Sequence, residues 1–237
     1  MELLKNFDTI AQVNLNCKEY TDMKSAMLAI DWINNHAIRE SNAALAYAPG
    51  IRFFDIPLTK EHPVHIKMLN YLTEEPQYQS TQFKKLWETS VPFFTYIESL
   101  IPNHRVVKAE IFATPPERYN ANEIVKRIHI DNGNFHALCK RCQIAFSTND
   151  QSYLFVENSK QLIEEGVVYE FNNRRCHWGV NWGKTLKLVL VLDIIDLDIW
   201  NNLTKEEYDT FFNFPDVSEH IKKVTPFRKN WLLKQLR

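Results

Sequence analysis

The second half of the chain alternates apolar and polar residues, and this alternation limits what the chain can fold into. From residue 105 the period changes to two, and Val107, Ala109, Ile111 and Ala113 alternate with Lys108, Glu110 and Phe112. Since successive side chains of a strand point to opposite faces, the pattern predicts strands with one packed face. Further strands are predicted at 125–131, 138–147, 152–156, 167–171, 175–181 and 185–193. Many short strands without helices between them favour an antiparallel sandwich or jelly roll over βαβ units.

Helical periodicity dominates on both sides of this core. Apolar residues recur at intervals of three and four in 22–36, 63–73 and 80–101, with a break expected at Pro92. Two more helices are predicted at 204–213 and 216–223, the first with Thr204 and Glu207 at capping-box spacing. A short strand is expected at 52–57. We therefore expect one mainly β domain of the α+β class over 1–237, with a mostly helical support (1–104), a β core (105–195) and C-terminal helices (196–237).

Composition excludes several classes of protein. The 237 residues carry a formal net charge of −1, without the basic excess of a nucleic-acid-binding surface. No apolar signal segment or membrane span is recognisable, and four cysteines are too few for a disulfide framework. A cytoplasmic protein with reduced thiols is expected. The basic, amphipathic end of the chain is expected to pack on the domain or on a second subunit, which would allow a homodimer through helical segments.

A His-x-Asp pair followed by a distant histidine is the strongest chemical signal. His129 and Asp131 lie two residues apart, so on a strand they face the same side, and His177 follows 48 residues later. Two imidazoles and one carboxylate can hold one face of a metal ion and leave the other open, as in non-heme Fe(II) oxygenases. His136 is expected in a loop near the entrance of such a site. The histidines of the first half of the chain (His36, His62, His65 and His104) fit no ligand pattern.

Two strands offer groups that could bind an anion beside this metal. Lys187 lies in the alternation of 185–193, and an interior ammonium needs a counter-ion, which a metal-chelating dicarboxylate would provide. The alternative is an edge strand with Lys187 facing water. Arg141 and Gln143 share one side of 138–147 and could donate to a carboxylate. Cys139-x-x-Cys142 could instead be half of a zinc site or a redox pair, although no second cysteine pair has a suitable spacing.

In this order the motifs resemble those of a known enzyme family. They comprise Lys126–Asp131, Gln143–Phe146, Tyr153–Glu157, Gly166–Asn173, His177 with Asn181, and Lys187–Asp193. Over roughly residues 105–195, the chain is similar to the aspartyl/asparaginyl β-hydroxylase family of 2-oxoglutarate-dependent Fe(II) oxygenases. The ordered set of motifs, with a basic residue ten positions after the distal histidine, is much more specific than the His-x-Asp pair alone.

The resemblance implies a double-stranded β-helix, also called a jelly-roll or cupin-like fold. It also implies Fe(II) held by His129, Asp131 and His177, with O2 and 2-oxoglutarate as cosubstrates. Lys187 would bind the distal carboxylate of 2-oxoglutarate, and the other residues implied in its binding are Arg141, Gln143 and Asn181. The reaction would hydroxylate an unactivated C–H bond and release succinate and CO2.

The chain departs from the family pattern at two positions. Lysine replaces the usual arginine at 187, which keeps the charge and loses the bidentate fork. Asp131 supplies a carboxylate ligand that the animal members lack, so the chain is more like the bacterial branch. With an aspartate present, hydroxylation is expected rather than halogenation.

The substrate is less well defined. An amino acid, or an amino-acid side chain in a peptide or protein, is expected, with β-hydroxylation of an Asp- or Asn-like group preferred. Arg118, Arg174 and Arg175 are candidates for gripping a substrate carboxylate, and the alternative is that they are ordinary surface arginines. Two other functions stay open: a non-catalytic, cupin-like metal-binding protein, and a 2-oxoglutarate oxygenase acting on another small metabolite or on RNA.

Overall fold

The computed structural model describes residues 6–32, 50–52, 81–131, 138–210 and 217–235. Nine strands and six helices lie within these ranges. The strands are β1 (Phe7–Gln12), β2 (Gly50–Arg52), β3 (His104–Thr114), β4 (Cys139–Ser147), β5 (Ser152–Val156), β6 (Ser159–Leu162), β7 (Val167–Phe171), β8 (His177–Asn181) and β9 (Lys187–Asp196). The helices are α1 (Lys18–Leu28), α2 (Thr81–Leu100), α3 (Ala121–Arg127), α4 (Leu197–Asn202), α5 (Lys205–Thr210) and α6 (Val217–Gln235).

The strands form two antiparallel sheets. The larger has the order β1-β7-β4-β9-β3-β2 and the smaller β6-β5-β8. Along the chain, β4, β7 and β9 belong to the larger sheet, whereas the intervening β5, β6 and β8 belong to the smaller one. This repeated crossing between two sheets agrees with the predicted jelly-roll core. The predicted α+β class with antiparallel sheets is confirmed.

Strand β9 separates two parts of the hydrophobic core. On one of its faces Leu188, Leu190 and Leu192 join a core that includes residues of α1 and α2. On its other face Val189 packs in a cluster with Leu154 and other residues of both sheets. The strand is thus buried on both sides, and residues that alternate with its leucines face the space between the sheets.

The outer face of the smaller sheet is covered by the C-terminal part of the chain. Trp178 of β8 packs in a cluster with Ile124 of α3 and Val224 of α6. Its ring also contacts Phe227 and Trp231, with centroid distances of 6.2 and 5.7 Å. Helix α6 therefore packs on the domain itself, which is one of the two arrangements predicted for the end of the chain.

The predicted strand at 125–131 is wrong, because residues 121–127 form α3. The side chain of Asn120 accepts a hydrogen bond from Asn122 N and caps the helix, and Glu123 and Lys126 lie near its N- and C-terminal ends. These local helix signals outweigh the alternation that the sequence suggested. Extended backbone begins only at Ile128.

The helical prediction for residues 1–104 is not supported as a whole. Helices α1 and α2 lie there, but so do β1 and β2, and β1 was not predicted. Helix α2 continues through Pro92 without the expected break, since Phe93, Phe94 and Ile97 bury one face of it fully. The predicted helix 63–73 and most of the strand predicted at 52–57 lie outside the described residues.

The two predicted C-terminal helices begin close to where the sequence predicts, but the end of the second one differs. Thr204 and Glu207 form the predicted capping box, with Glu207 N to Thr204 Oγ1 at 3.2 Å and Thr204 N to Glu207 Oε2 at 2.8 Å. Helix α6 extends to Gln235, well beyond the predicted 216–223. Among the described helices, none combines the length and apolar character needed to cross a bilayer.

Candidate metal centre

The predicted triad comes together beside the first residue of β8. His129 and His177 exchange both backbone hydrogen bonds, at 3.1 and 2.8 Å, and Asp131 N donates to Asn173 O at 2.9 Å. These bonds align the segment that follows α3 with the edge of the smaller sheet. The Nε2 atom of His129 lies 3.5 Å from Asp131 Oδ1, and that of His177 lies 3.7 Å from Asp131 Oδ2. Among the described residues, this triad is the group of three or more His, Cys, Asp or Glu side chains that can hold a metal ion.

Hydrogen bonds orient both imidazole rings in the same way. Nδ1 of His129 lies 2.7 Å from Arg127 O, and Nδ1 of His177 lies 3.0 Å from Arg175 O. A carbonyl oxygen only accepts hydrogen bonds, so each Nδ1 carries the proton as donor. Each Nε2 then presents its lone pair toward the carboxylate, which is the arrangement that metal-binding histidines require.

The charge states of the buried ligands also suit a cation. Burial, with a smaller contribution from His129, lowers the pKa of His177 to about 3, so this ring is neutral near pH 7. Burial alone would raise the pKa of Asp131, but the Arg141 guanidinium and the histidines hold it well below its usual range. His177 is buried whereas 48% of the His129 side chain is exposed, so the centre opens on the His129 side.

Arg141 stands at the centre of a buried ionic cluster that includes one ligand. Its Nε lies 2.8 Å from Asp131 Oδ2, its Nη1 2.7 Å from Asp193 Oδ2, and its Nη2 2.7 Å from Glu110 Oε2. Lys108 Nζ adds contacts to Glu110 at 3.4 Å and to Asp193 at 3.9 Å. We call these five side chains the Arg141 cluster.

Sheet register explains how this cluster assembles. Arg141 of β4 and Lys108 of β3 are both direct cross-strand neighbours of Asp193 in β9, and Glu110 lies on the same face two residues after Lys108. Sequence reasoning found Arg141 but missed Glu110 and Lys108. Their signal was only that they occupy polar positions of an alternating strand.

Lys187 occupies the opposite end of the inner face of β9. The side chain is buried, and within the described residues its Nζ donates one hydrogen bond, to Val180 O at 3.1 Å. Burial lowers the pKa of Lys187 to about 8, and the negative charge of Glu117 opposes part of this shift. Since β9 lies between β4 and β3, the alternative of an exposed edge strand is wrong.

A glycine makes space for the Lys187 ammonium. A Cβ atom built on Gly179 of β8 would lie 3.2 Å from Lys187 Nζ, closer than most side-chain contacts allow. Thr114 is the direct cross-strand neighbour of Lys187 on β3. The hydrogen bond to Val180 O leaves two of the three ammonium N–H groups for other acceptors.

The other predicted cosubstrate contacts differ in their surroundings. Gln143 is buried on the same side of β4 as Arg141. Asn181 is held on both sides of its amide: Nδ2 donates to Thr114 O and to Thr185 O, each at 2.8 Å, and Oδ1 accepts from Asn149 Nδ2 at 2.9 Å. These bonds favour a role for Asn181 in holding the turn between β8 and β9.

The cysteines and the predicted substrate arginines do not gather into a second site in the part of the chain described. Cys142 packs in the core shared with α1 and α2, on the face of β4 opposite Arg141, and all four cysteines are free. Arg118 and Arg174 are exposed, and Arg175 pairs with Glu157 at 2.8 Å. His136 lies outside the described residues.

Comparisons with known proteins give only distant likenesses. No protein-family model matches the sequence, and no curated protein matches it either. Among solved structures, the chain is similar to a viral collagen prolyl hydroxylase from Paramecium Bursaria Chlorella virus-1, with 11% identity, 81% of this chain and 90% of that chain covered, and a TM-score of 0.39. The chain is also similar to a 2OG-Fe(II) oxygenase family oxidoreductase from Burkholderia pseudomallei, with 12% identity, 78% of this chain and 95% of that chain covered, and a TM-score of 0.35. A third similar structure is HygX from Streptomyces hygroscopicus with nickel and 2-oxoglutarate bound. It has 10% identity, 80% of this chain and 82% of that chain are covered, and the TM-score is 0.37.

The oxygenase class predicted from the sequence is thus represented among these structures, as is the predicted pairing of a metal ion with 2-oxoglutarate. At such low identity and TM-score, what the centre does has to be inferred from its own residues.

Proposed function

We propose that this protein is an Fe(II)- and 2-oxoglutarate-dependent dioxygenase that hydroxylates an unactivated C–H bond. One observation carries the proposal. The inner surface between the sheets presents both a triad of two histidines and one carboxylate and a buried ammonium with no carboxylate partner among the described residues. A metal ion alone would not provide a counter-ion for that ammonium, whereas a dicarboxylate bound to the metal would.

The donor set fits Fe(II). Two neutral imidazole nitrogens and one ionised carboxylate are the ligands that non-heme Fe(II) oxygenases use, and three protein ligands leave positions for other molecules. Bound Fe(II) would supply the activation of O2 that couples oxidative decarboxylation of 2-oxoglutarate to substrate hydroxylation, releasing succinate and CO2. His129, Asp131 and His177 would hold this ion.

Lys187 would bind the distal carboxylate of 2-oxoglutarate. An ammonium is a compact point charge that can pair with a carboxylate without the fixed fork of arginine. Gly179 leaves room beside Nζ, and Thr114 lies on the adjacent strand as a cross-strand neighbour. The nearby Glu117 cannot neutralise Lys187 well, since its carboxylate pairs with Arg127 at 2.6 Å and also accepts from Asn181 N.

The protein would contribute orientation and exclusion of water. His177, Arg141 and Lys187 are all buried, so a dicarboxylate spanning from the triad to Lys187 would lie away from solvent. The substrate would approach from the exposed His129 side. Contacts of Arg141, Gln143 and Asn181 with 2-oxoglutarate remain predictions.

For the substrate we propose an amino acid or an amino-acid side chain in a peptide, with β-hydroxylation of an Asp- or Asn-like group as the specific form. This choice rests on the motif resemblance. The exposed Arg118 and Arg174, together with Arg175, remain candidates for a substrate carboxylate. A cytoplasmic location, a homodimer and the lack of a nucleic-acid partner also remain predictions.

The decisive experiment is anaerobic addition of Fe(II) and 2-oxoglutarate to the full chain. We expect the weak visible charge-transfer absorption of a metal-bound keto acid, followed by release of succinate when O2 is admitted. A folded, metal-loaded protein without this absorption would instead favour a non-catalytic metal-binding protein. Succinate release across a panel of free amino acids and peptides would then define the substrate.

A further inference from the structure

The two oxygens of Asp131 have different surroundings. Oδ2 accepts from Arg141 Nε at 2.8 Å and from Asn173 Nδ2 at 3.2 Å. Two donors occupy both lone pairs of a carboxylate oxygen. The closest contact of Oδ1 within the described residues is His129 Nε2, at 3.5 Å, a distance longer than that of an ordinary hydrogen bond.

Both donors are themselves held in place. Arg141 is fixed by Asp193 and Glu110, each at 2.7 Å, and a planar guanidinium bound at three nitrogens cannot rotate without breaking a charged hydrogen bond. Asn173 is buried, and its backbone carbonyl accepts from Asp131 N at 2.9 Å. The residue thus contacts Asp131 through both its main chain and its side chain.

We propose that Arg141 and Asn173 are positioning residues that reserve Oδ2 of Asp131 for hydrogen bonding, so that Asp131 binds the metal through Oδ1 alone. This inference rests on the proposed function, since it takes Asp131 to be a metal ligand. It assigns Arg141 a role toward the metal centre that differs from the predicted contact with 2-oxoglutarate. Glu110 and Asp193 act in turn on Arg141.

A single-oxygen ligand matters for the chemistry. A carboxylate that turned to bind through both oxygens would occupy one more position around the metal, and the cosubstrate and O2 would then compete for what is left. Partners of this kind orient metal ligands in other proteins, and their loss typically lowers metal affinity by about 10- to 100-fold. Holding Oδ2 of Asp131 in hydrogen bonds therefore leaves the remaining coordination positions of the metal for the cosubstrate and O2.

The test uses Co(II) as a probe of the metal-free full-length protein, because its visible absorption reports coordination number. Asn173→Ala is expected to lower Co(II) affinity by roughly tenfold and to change the position and intensity of the Co(II) bands as Oδ2 becomes available. Arg141→Lys keeps one charge but cannot span three carboxylates, so a larger loss of affinity is expected. Asn172→Ala is the matched control, since the Asn172 side chain accepts from Arg174 N instead, and it should leave affinity and spectrum unchanged.

Asp131→Ala separates failure of this inference from failure of the proposed function. If Asp131→Ala loses Co(II) binding while Asn173→Ala and Arg141→Lys keep wild-type affinity and spectrum, the positioning role is overturned and the metal site stands. If Asp131→Ala binds Co(II) like the wild type, both fall together. Should Arg141→Lys fail to fold, as judged by circular dichroism, Asn173→Ala decides alone.

Discussion

A buried cationic side chain lies at each end of the inner face of β9, and the surroundings of the two cations differ. At the Asp193 end, Arg141 is surrounded by three carboxylates at 2.7 to 2.8 Å. At the other end, Lys187 has a backbone carbonyl as its partner within the described residues. A buried cation surrounded by anions serves the protein's own structure, whereas a buried cation left without one is suited to an anion that arrives from outside.

Removing Arg141 should have the largest effect on stability. Arg141→Met would leave Asp131, Asp193 and Glu110 buried without their shared cation, and breaking a buried ion pair in this way typically destabilises a protein by about 3 to 5 kcal/mol. Chemical denaturation should show this loss. The triple change that also converts Glu110 to Gln and Asp193 to Asn should recover much of it, and a triple variant as unstable as Arg141→Met would contradict the ionic explanation.

Removing Lys187 should have the opposite profile. Lys187→Met should leave stability unchanged or improved, while 2-oxoglutarate affinity falls by roughly 30-fold or more, since loss of one partner of a buried charge pair costs about 2 kcal/mol or more. Isothermal titration with metal-loaded protein measures the affinity. Lys184→Met, at an exposed lysine of the β8–β9 turn, is the matched control. Equal affinities for the two variants would show that Lys187 has another role.

The pH dependence of binding and of stability should diverge above pH 8. Burial lowers the pKa of Lys187 to about 8, so 2-oxoglutarate affinity should be level below pH 8 and fall by up to tenfold per pH unit above it. Without cosubstrate, the unfolded lysine binds more protons than the folded one between pH 8 and its ordinary value, so this group makes stability rise with pH in that window. In Lys187→Met both trends should disappear, and persistence of the fall in affinity would assign it to another group.

A smaller effect is expected at the link between α6 and the metal-ligand segment. Arg228 Nε donates to Ile128 O at 2.9 Å and its Nη2 to Lys126 O at 3.1 Å, on either side of the carbonyl that orients His129. Arg228→Met should lower Co(II) affinity several-fold and stability by about 1 to 2 kcal/mol. The exposed neighbour Lys229 provides the control, Lys229→Met. Equal metal affinity in the two variants would limit Arg228 to holding α6 in place.

The sequence alone determined the local part of this site. The pattern His-x-Asp with a distant His predicted a triad whose ligand atoms lie within 4.8 Å of one another, and the alternation around Lys187 predicted a buried lysine on the inner face. The shared side of His129 and Asp131 and the inner position of Lys187 follow from short-range periodicity, since residues two apart on extended backbone face the same side. The capping box at Thr204 and Glu207 is also predictable from local sequence, because its two residues lie three positions apart at the start of a helix.

Only the tertiary structure decided how the two ends of β9 differ. Which residues face Asp193 depends on the register of β3 and β4 against β9, and residues as far apart in sequence as Glu110 and Arg141 meet only through that pairing. The space that Gly179 leaves for Lys187 likewise depends on β8 lying across from β9. Register is fixed by packing and hydrogen bonding over the whole sheet, whereas the alternation of apolar and polar residues can be read from the sequence of each strand alone.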